Sequence, residues 1–219
     1  MTNFNIKIVS DTVCPWCYIG KKRLDRAIEL YRSTYPAGTD DTFTISWFPF
    51  YLDPSSPAVG IPVQERMVSK FGAERYEMIR QRLTAAGRGE GISFSFAGKA
   101  GNTRDSHRLI QLGKTKGTEV ENRVVAELFR SYFEGEGDIT SHATLVEAAE
   151  RAGLDVAEAR EWLESGKGGE EVDREVQRAY ANDIHGVPNF TIQDKYDIGG
   201  AQEPEVFLEA FTRVKKAEQ

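Results

Sequence analysis

The sequence predicts an α/β protein in which a β–α–β unit opens the chain, an all-α block follows, and a β–β–α unit closes it. Three observations predict this. Phe4-Asn5-Ile6-Lys7-Ile8-Val9 and Phe43-Thr44-Ile45-Ser46-Trp47-Phe48 alternate apolar and polar residues with the period of a strand, on either side of a helical stripe. From Pro62 to about Ile184 the apolar residues recur almost throughout at helical spacing. Phe190-Thr191-Ile192 and Tyr196-Asp197-Ile198 then flank Gln193-Asp194-Lys195, a hairpin of turn-forming residues. The helical block reads as an insertion, because strands on both sides of it are needed to complete one sheet. The boundaries follow as 1–52, 53–184 and 185–219.

Taken in order, the first helix carries Leu24, Ala27, Ile28, Tyr31 and Tyr35 on one stripe and is expected to stop at Pro36 and Gly38. A right-handed crossover makes its two flanking strands parallel, the second stopped by Pro49. Tyr51 to Gly60 reads as loop. Val68, Phe71, Tyr76, Ile79 and Leu83 mark one or two helices, broken near Gly87-Arg88-Gly89, and Gly91 to Phe96 reads as a short strand or an extended loop. Asn102 is an N-cap residue for a helix through Leu109, Ile110 and Gly113. Val120, Val124, Val125, Leu128, Phe129, Tyr132 and Phe133 give the next helix a wide apolar face, so deep burial is expected. Leu145, Ala148, Ala149 and Ala152 form another. Asp155 and Glu158 have the spacing of a capping box ahead of Trp162 and Leu163. Val172, Val176, Ala179 and Tyr180 follow a Gly-rich loop over 164–171. Pro204 opens a closing helix with Phe207, Ala210, Phe211 and Val214 inward.

The chemistry concentrates in Val13-Cys14-Pro15-Trp16-Cys17-Tyr18, which holds the chain's 2 cysteines where the first strand gives way to the first helix. Pro15 suits the first helical position, where its missing N–H costs nothing. Cys14 then sits at or beside the N-cap, close to unpaired N–H groups and the positive end of the helix dipole. A thiolate, not a thiol, attacks a disulfide. The dipole favours the anionic sulfur by ~0.3–2 kcal/mol, and hydrogen bonds from N–H groups or the Cys17 S–H are expected to add to it. Cys14 is the expected nucleophile and Cys17, a turn further in, the resolving thiol. A zinc half-site would need two more Cys or His ligands, and His107, His142 and His185 are scattered without a paired motif. An inert structural disulfide would close too short a loop to constrain the unfolded chain. No metal is expected, and no tightly bound cofactor.

The 219 residues, 40% hydrophobic and 28% charged, are those of a folded chain rather than a disordered one. A net charge of −6 argues against nucleic acid or an anionic membrane as partner. Mean hydropathy is −0.47, and no apolar run approaches the length of a membrane span. The start, Met1-Thr2-Asn3-Phe4-Asn5, lacks the basic and apolar regions of a secretory signal, and both cysteines lie in one motif. A cytoplasmic address is therefore expected.

Gly186-Val187-Pro188-Asn189-Phe190 is the second marked stretch. A proline opening a strand is ordinary by itself. Together with Ser10-Asp11-Thr12-Val13-Cys14-Pro15-Trp16-Cys17-Tyr18-Ile19-Gly20, with Asn102-Thr103-Arg104-Asp105-Ser106-His107-Arg108-Leu109, and with Gly200-Ala201-Gln202-Glu203-Pro204-Glu205-Val206-Phe207, it makes the whole chain resemble the thioredoxin superfamily. The resemblance is to the DsbA-like branch that includes FrnE-like proteins and 2-hydroxychromene-2-carboxylate isomerases. It implies a thioredoxin-like fold (βαβ…ββα) with an inserted all-α helical domain over the dithiol. It also implies that the Val187-Pro188 peptide is cis and lies against the Cys14 sulfur. The Val187 backbone would then be free to pair with an extended substrate. The His107 segment would lie near the active site.

The other candidates carry two readings each. His107 is a proton shuttle or lines the substrate groove, or else it packs the domain interface. His185 approaches the sulfur, or is an exposed loop histidine. Asp11 accepts the thiol proton, or only hydrogen-bonds the turn. Pro15 and Trp16 offer apolar surface beside Cys14 for substrate contact, or pack locally. Gln202 falls in the stretch comparable to one that holds the γ-glutamyl end of glutathione in kappa-class glutathione transferases, although the Ser-Asp pair of that class is absent here. Trp16 brings no imidazolium to the dithiol, so a less oxidising couple than in the periplasmic enzymes is expected.

Two function classes follow. The first is a thiol-disulfide oxidoreductase acting through Cys14, Cys17 and Pro188 on a protein or small-molecule disulfide, with glutathione as electron partner or co-substrate. The second is a glutathione-dependent transferase or isomerase of a small aromatic or polyketide-like molecule. Those relatives use a serine where this chain has Cys14, a departure that favours the first.

Overall fold

The computed structural model of the protein describes residues 1–35 and 40–218. Strand β1 (Asn3–Ser10) leads through the cysteine loop into α1 (Pro15–Thr34), and β2 (Thr42–Pro49) follows. β1 and β2 pair in parallel from Asn3–Thr42 to Ser10–Pro49. Pro49 is thus the last ladder residue rather than the stop beyond it. The Pro36 and Gly38 stop expected for α1 lies outside the described residues. At the far end, β5 (Asn189–Ile192) and β6 (Tyr196–Gly199) form the expected hairpin, and α9 (Pro204–Ala217) closes the chain. In the three-residue connection Gln193 and Asp194 both take positive φ, near 55°, and the Lys195 N–H closes the turn on the Ile192 carbonyl at 3.1 Å. β5 pairs antiparallel with β1, so the sheet runs β2-β1-β5-β6.

The sequence pattern explains the layers. Phe4, Ile6 and Ile8 alternate with Asn3, Asn5 and Lys7, and only the first set is buried. α1 and α9 pack together on that side. Phe4, Tyr31, Phe43 and Phe211 meet there with ring centroids 4.8–5.8 Å apart.

Below that cluster, Asp41 is buried and accepts hydrogen bonds from the Thr2 N–H, Tyr31 hydroxyl and Lys215. Burial works against its charged form, but these donors outweigh it and hold the carboxyl at about 2. Since the unfolded value lies near 3.9, Asp41 contributes about 2 kcal/mol above pH ~5, and this is lost as pH falls toward 2. Urea unfolding of wild type and Asp41→Asn is therefore expected to differ by about 2 kcal/mol at pH 7 and to converge in acid. A difference that stays constant down to pH 2 would contradict this.

Between the two sheet halves lie α2 (Val63–Phe71), α3 (Ala73–Gly89), α4 (Arg104–Thr115), α5 (Thr118–Phe133), α6 (His142–Arg151), α7 (Val156–Glu164) and α8 (Gly169–Ala181). α4, α5 and α8 pack on β2, and a single apolar cluster runs from the sheet into this block. The stretch is two helices, separated at Gly72, whose φ of 83° leaves the helical region, and the second ends at Gly89, where the break near Gly87-Arg88-Gly89 is expected. Gly87 lies in the last turn of α3 and makes room for Phe94: a Cβ there would meet the ring at 2.5 Å. Residues 91–96 are loop. A two-residue ribbon, β3 (Ile61–Pro62) with β4 (Lys99–Ala100), ties the ends of this hairpin together instead.

Caps shift by a residue or so. α4 begins at Arg104 with Thr103 as its N-cap, and the expected cap, Asn102, accepts the Arg104 N–H (2.9 Å) from one position further out. Asp155 caps the Glu158 N–H at 2.8 Å, while the Glu158 carboxylate goes to Lys116 rather than completing the box. α8 already starts at Gly169, inside the loop expected over 164–171.

Within α5, Glu121 occupies a position of the deeply buried face. It accepts the Trp47 N–H at 2.8 Å, and its second oxygen is buried with no partner among the described residues. Burial pushes this carboxyl up to about 7.

Candidate active site

Cys14 is the N-cap of α1, with extended backbone (φ −88°, ψ 110°), and Pro15 takes the first helical position. The Cys14 carbonyl accepts the Cys17 N–H at 3.0 Å, closing the first turn, and the Cys14 N–H donates to the Asp11 carbonyl, also at 3.0 Å. Both cysteines are free thiols, 4% and 1% exposed. No helix N–H reaches the Cys14 sulfur as a cap. A thiol carries its own proton and looks for an acceptor, and the Cys14 Sγ finds the Val187 carbonyl at 3.6 Å. Burial pushes the Cys17 thiol well up, and a hydrogen bond with Cys14 adds to this, against opposing contacts from the Ser10 side chain and the Asp11 backbone. The inner sulfur is thus held as a thiol.

The partner of Cys14 comes from the other end of the chain. The Val187-Pro188 peptide is cis, with Pro188 buried and Val187 half-buried at the entry to β5. The Pro188 carbonyl accepts the Gly200 N–H at 2.8 Å, which anchors this loop to the turn after β6. Gly20, on the second turn of α1, permits the approach: a Cβ there would lie 3.0 Å from the Phe190 ring and 3.1 Å from Pro188.

Around the dithiol the helical block supplies a wall. Val13 and Pro15 line an apolar pocket of about 70 Å³ with Leu83, Phe96, Tyr132 and Phe133. Trp16 is half-buried, and the Arg82 guanidinium sits 5.2 Å from its ring centre. The sequence did not single out Arg82, because nothing local relates α3 to Trp16.

Asp11 and His107 are brought together. Both are buried, with the imidazole Nε2 3.3 Å from one Asp11 oxygen, and the other oxygen accepts the Leu52 N–H at 2.9 Å. Immediately before His107 on α4, Ser106 hydrogen-bonds Thr12 at 2.7 Å. The first turn of α4 is therefore tied to the loop that carries Cys14. His107 faces inward and does not line an open groove, because its carboxylate partner lies beneath the cysteine loop.

A family model described as a DSBA-like thioredoxin domain matches residues 5–212. The chain belongs to the DSBA-like thioredoxin family. YwbO of Bacillus subtilis (strain 168), an uncharacterized protein, is 29% identical over 216 residues, 97% of this chain and 98% of its own. A probable DsbA oxidoreductase from Streptomyces coelicolor is 30% identical and superposes with a TM-score of 0.83 over 96% of this chain and 89% of that one. A 2-hydroxychromene-2-carboxylate isomerase shares the fold, at TM-score 0.68 and 15% identity, covering 98% and 97% of the two chains.

Two expected site residues of this DSBA-like chain stand apart from the dithiol. His185 is exposed in a surface depression with Asn182, Asp183, Asn189 and Asp197, and among the described residues it bonds neither sulfur. Gln202 is exposed and folds back to donate to the Gly199 carbonyl at 2.8 Å. Its backbone satisfies the same turn that holds Pro188, which leaves the side chain to cap that turn. Among the described residues, no three His, Cys, Asp or Glu side chains are grouped to hold a metal ion. No described helix is long and apolar enough to cross a membrane.

Proposed function

We propose that this DSBA-like protein is a thiol-disulfide oxidoreductase with Cys14 as nucleophile and Cys17 as resolving thiol. The observation that carries the reading is the Cys14 sulfur, set at a helix start and 3.6 Å from the Val187 carbonyl, with the Cys17 thiol buried behind it. Cys14, as thiolate, attacks one sulfur of a substrate disulfide, forming a mixed disulfide and releasing the first substrate thiol. Cys17 then gives up its proton and attacks the Cys14 sulfur. This expels the second substrate thiol and leaves a Cys14-Cys17 disulfide, so the substrate gains the two electrons that the dithiol loses. A small thiol such as glutathione returns the pair to the reduced state.

Pro188 and the Val187 backbone form the platform along which an extended substrate lies, and Pro15 and Trp16 offer apolar contact beside the attacked sulfur. Protein disulfides and glutathione mixed disulfides are the substrate classes. The cytoplasm is the proposed location, supported by a sequence with no cysteines beyond the pair.

The test is turnover of insulin and of a peptide–glutathione mixed disulfide, with glutathione and its reductase supplying electrons. Catalysed reduction of either is expected. Absence of any dithiol turnover, with glutathione conjugation to an aromatic electrophile in its place, would overturn the reading in favour of the glutathione-dependent transferase.

A further inference from the structure

The surface beside Cys14 carries a charge opposite to that of the whole chain. The net charge is −6, and cations of α1 and α3 are mostly neutralised nearby: Arg23 and Arg26 pair with Glu90, and Arg80 pairs with Glu77. Arg82 forms no ion pair among the described residues. Its exposed guanidinium lies over the Trp16 indole instead, 5.2 Å from the ring centre, and Trp16 stands between the two cysteines. A guanidinium held by its plane on a ring keeps the N–H groups at its edge for a carboxylate, in an orientation already fixed. The next residue on α3, Leu83, turns into the apolar pocket. Val13 and Pro15 of the cysteine loop form one wall of that pocket, and Val63, Met67, Ile79 and Leu83 form another. Its volume of about 70 Å³ has room for several waters at ~10–15 Å³ each, but an apolar lining gives them few partners. No residue of α2 is buried, so Val63 and Met67 still have apolar surface to cover. An apolar side chain is the occupant that fits.

We propose that the dithiol selects protein disulfides whose cysteine is flanked by an apolar residue and an acidic residue, the acid read by Arg82 on the Trp16 ring. The apolar side chain sits in the pocket lined by Val13, Pro15 and Leu83. The proposal rests on the dithiol reading above and narrows its substrates. Because Arg82 and Leu83 are consecutive on α3, the cation and the apolar seat lie side by side at the approach to Cys14. An extended peptide rises ~3.3 Å per residue, so flanking residues within about two positions of the substrate cysteine reach both. Lys22, over the Tyr18 ring at 5.7 Å, adds a second positive group on the helix that carries the dithiol.

Glutathione meets only half of this site. It brings carboxylates but no apolar side chain beside its cysteine, so its mixed disulfide satisfies Arg82 and leaves the pocket empty. The helical block, which supplies both Arg82 and the α2–α3 wall, thereby sets which disulfides Cys14 attacks fastest.

The test uses the reduced full-length protein and short peptides, each with a single cysteine capped as a mixed disulfide with thionitrobenzoate. The residues flanking the cysteine are Leu and Glu, Leu and Lys, or Ala and Glu. Attack of Cys14 on the peptide sulfur forms the Cys14-peptide disulfide and expels coloured thionitrobenzoate, whose release gives a second-order rate constant. Each constant is divided by that of a small neutral thiol with the same peptide, which removes differences in the peptides themselves. At low salt the Leu–Glu peptide is expected to react about tenfold faster than the Leu–Lys peptide, and the ratio to shrink in high salt. It is also expected to outpace the Ala–Glu peptide by about fivefold. Arg82→Glu is expected to invert the Glu–Lys order, and Ile79→Gln to erase the Leu–Ala difference. Arg75→Glu makes the same charge change ~10 Å along the helix, about a Debye length away, and is expected to keep the wild-type ratio within about twofold. A wild-type ratio within about twofold of one in either comparison overturns the proposal, as does a Glu–Lys ratio that Arg82→Glu leaves unchanged. A preference for Lys, which the net charge of −6 alone favours, overturns it too. So does a glutathione–thionitrobenzoate disulfide that reacts as fast as the Leu–Glu peptide. A protein that releases thionitrobenzoate from none of these probes overturns the dithiol reading itself.

Discussion

Cys14→Ser is expected to abolish disulfide turnover, lowering the rate of insulin reduction by on the order of 10³-fold or more. The size follows from what the residue supplies. A serine hydroxyl is a far weaker nucleophile than a thiolate at neutral pH, and a sulfur–oxygen adduct gives Cys17 no mixed disulfide to resolve. The geometry leaves no substitute, since the remaining thiol, Cys17, is 1% exposed and lies behind the helix start. Cys17→Ala is the informative companion. Cys14 still attacks, but the adduct persists, and a protein whose mass has increased by one substrate thiol is expected by mass spectrometry. Full activity in Cys14→Ser, or no adduct on Cys17→Ala with any disulfide, would remove Cys14 from the role assigned to it.

Much of this site was legible because its parts are local. Strand alternation, the proline at the first helical position and the cysteine spacing together placed Cys14 at a helix start, and no tertiary contact was needed for that. The approach of Pro188 came instead from resemblance across 170 residues of intervening chain, and its physical enabler, Gly20, looked like any glycine in a helix until the Phe190 ring was seen against it. The sequence could not say that Asp11 and His107, or Thr12 and Ser106, meet. Each pair joins two different segments, and only the packing of α4 on the cysteine loop brings them together. The ribbon of β3 and β4 was invisible because two residues carry no period. The end of α3 was legible because two glycines, Gly87 and Gly89, fall there, whereas the lone Gly72 left open whether one helix or two preceded it. Glu121 hides in an apolar stripe, where a single charged residue looks like the helix's solvent edge.

The stretch from Asn102 to Leu109 illustrates how one motif serves two ends. Ser106 and His107 turn toward the cysteine loop, whereas Arg108 turns to α7 and is nearly fully buried. Its guanidinium donates to the Trp162 and Leu163 carbonyls (2.6 and 3.1 Å) at the end of α7, to the Lys167 carbonyl (2.9 Å) in the turn before α8, and to Asp105 (2.6 Å). A helix leaves its last carbonyls without partners, and here a cation at the negative end of the dipole satisfies them. Arg108→Met keeps the length of the stem but removes a donor from three carbonyls, that of Leu163 being buried, and leaves one acidic partner bound to His142. The expected cost is ~3–5 kcal/mol, a fall in Tm of roughly 10 °C for a chain of this size. Thermal unfolding followed by circular dichroism measures it. Because Arg108 lies on the face of α4 opposite the dithiol loop, the attack of Cys14 on a disulfide reagent at 25 °C should proceed at the wild-type rate in the same variant. A Tm within about 2 °C of wild type would mean that α7 and α8 hold their junction without this side chain.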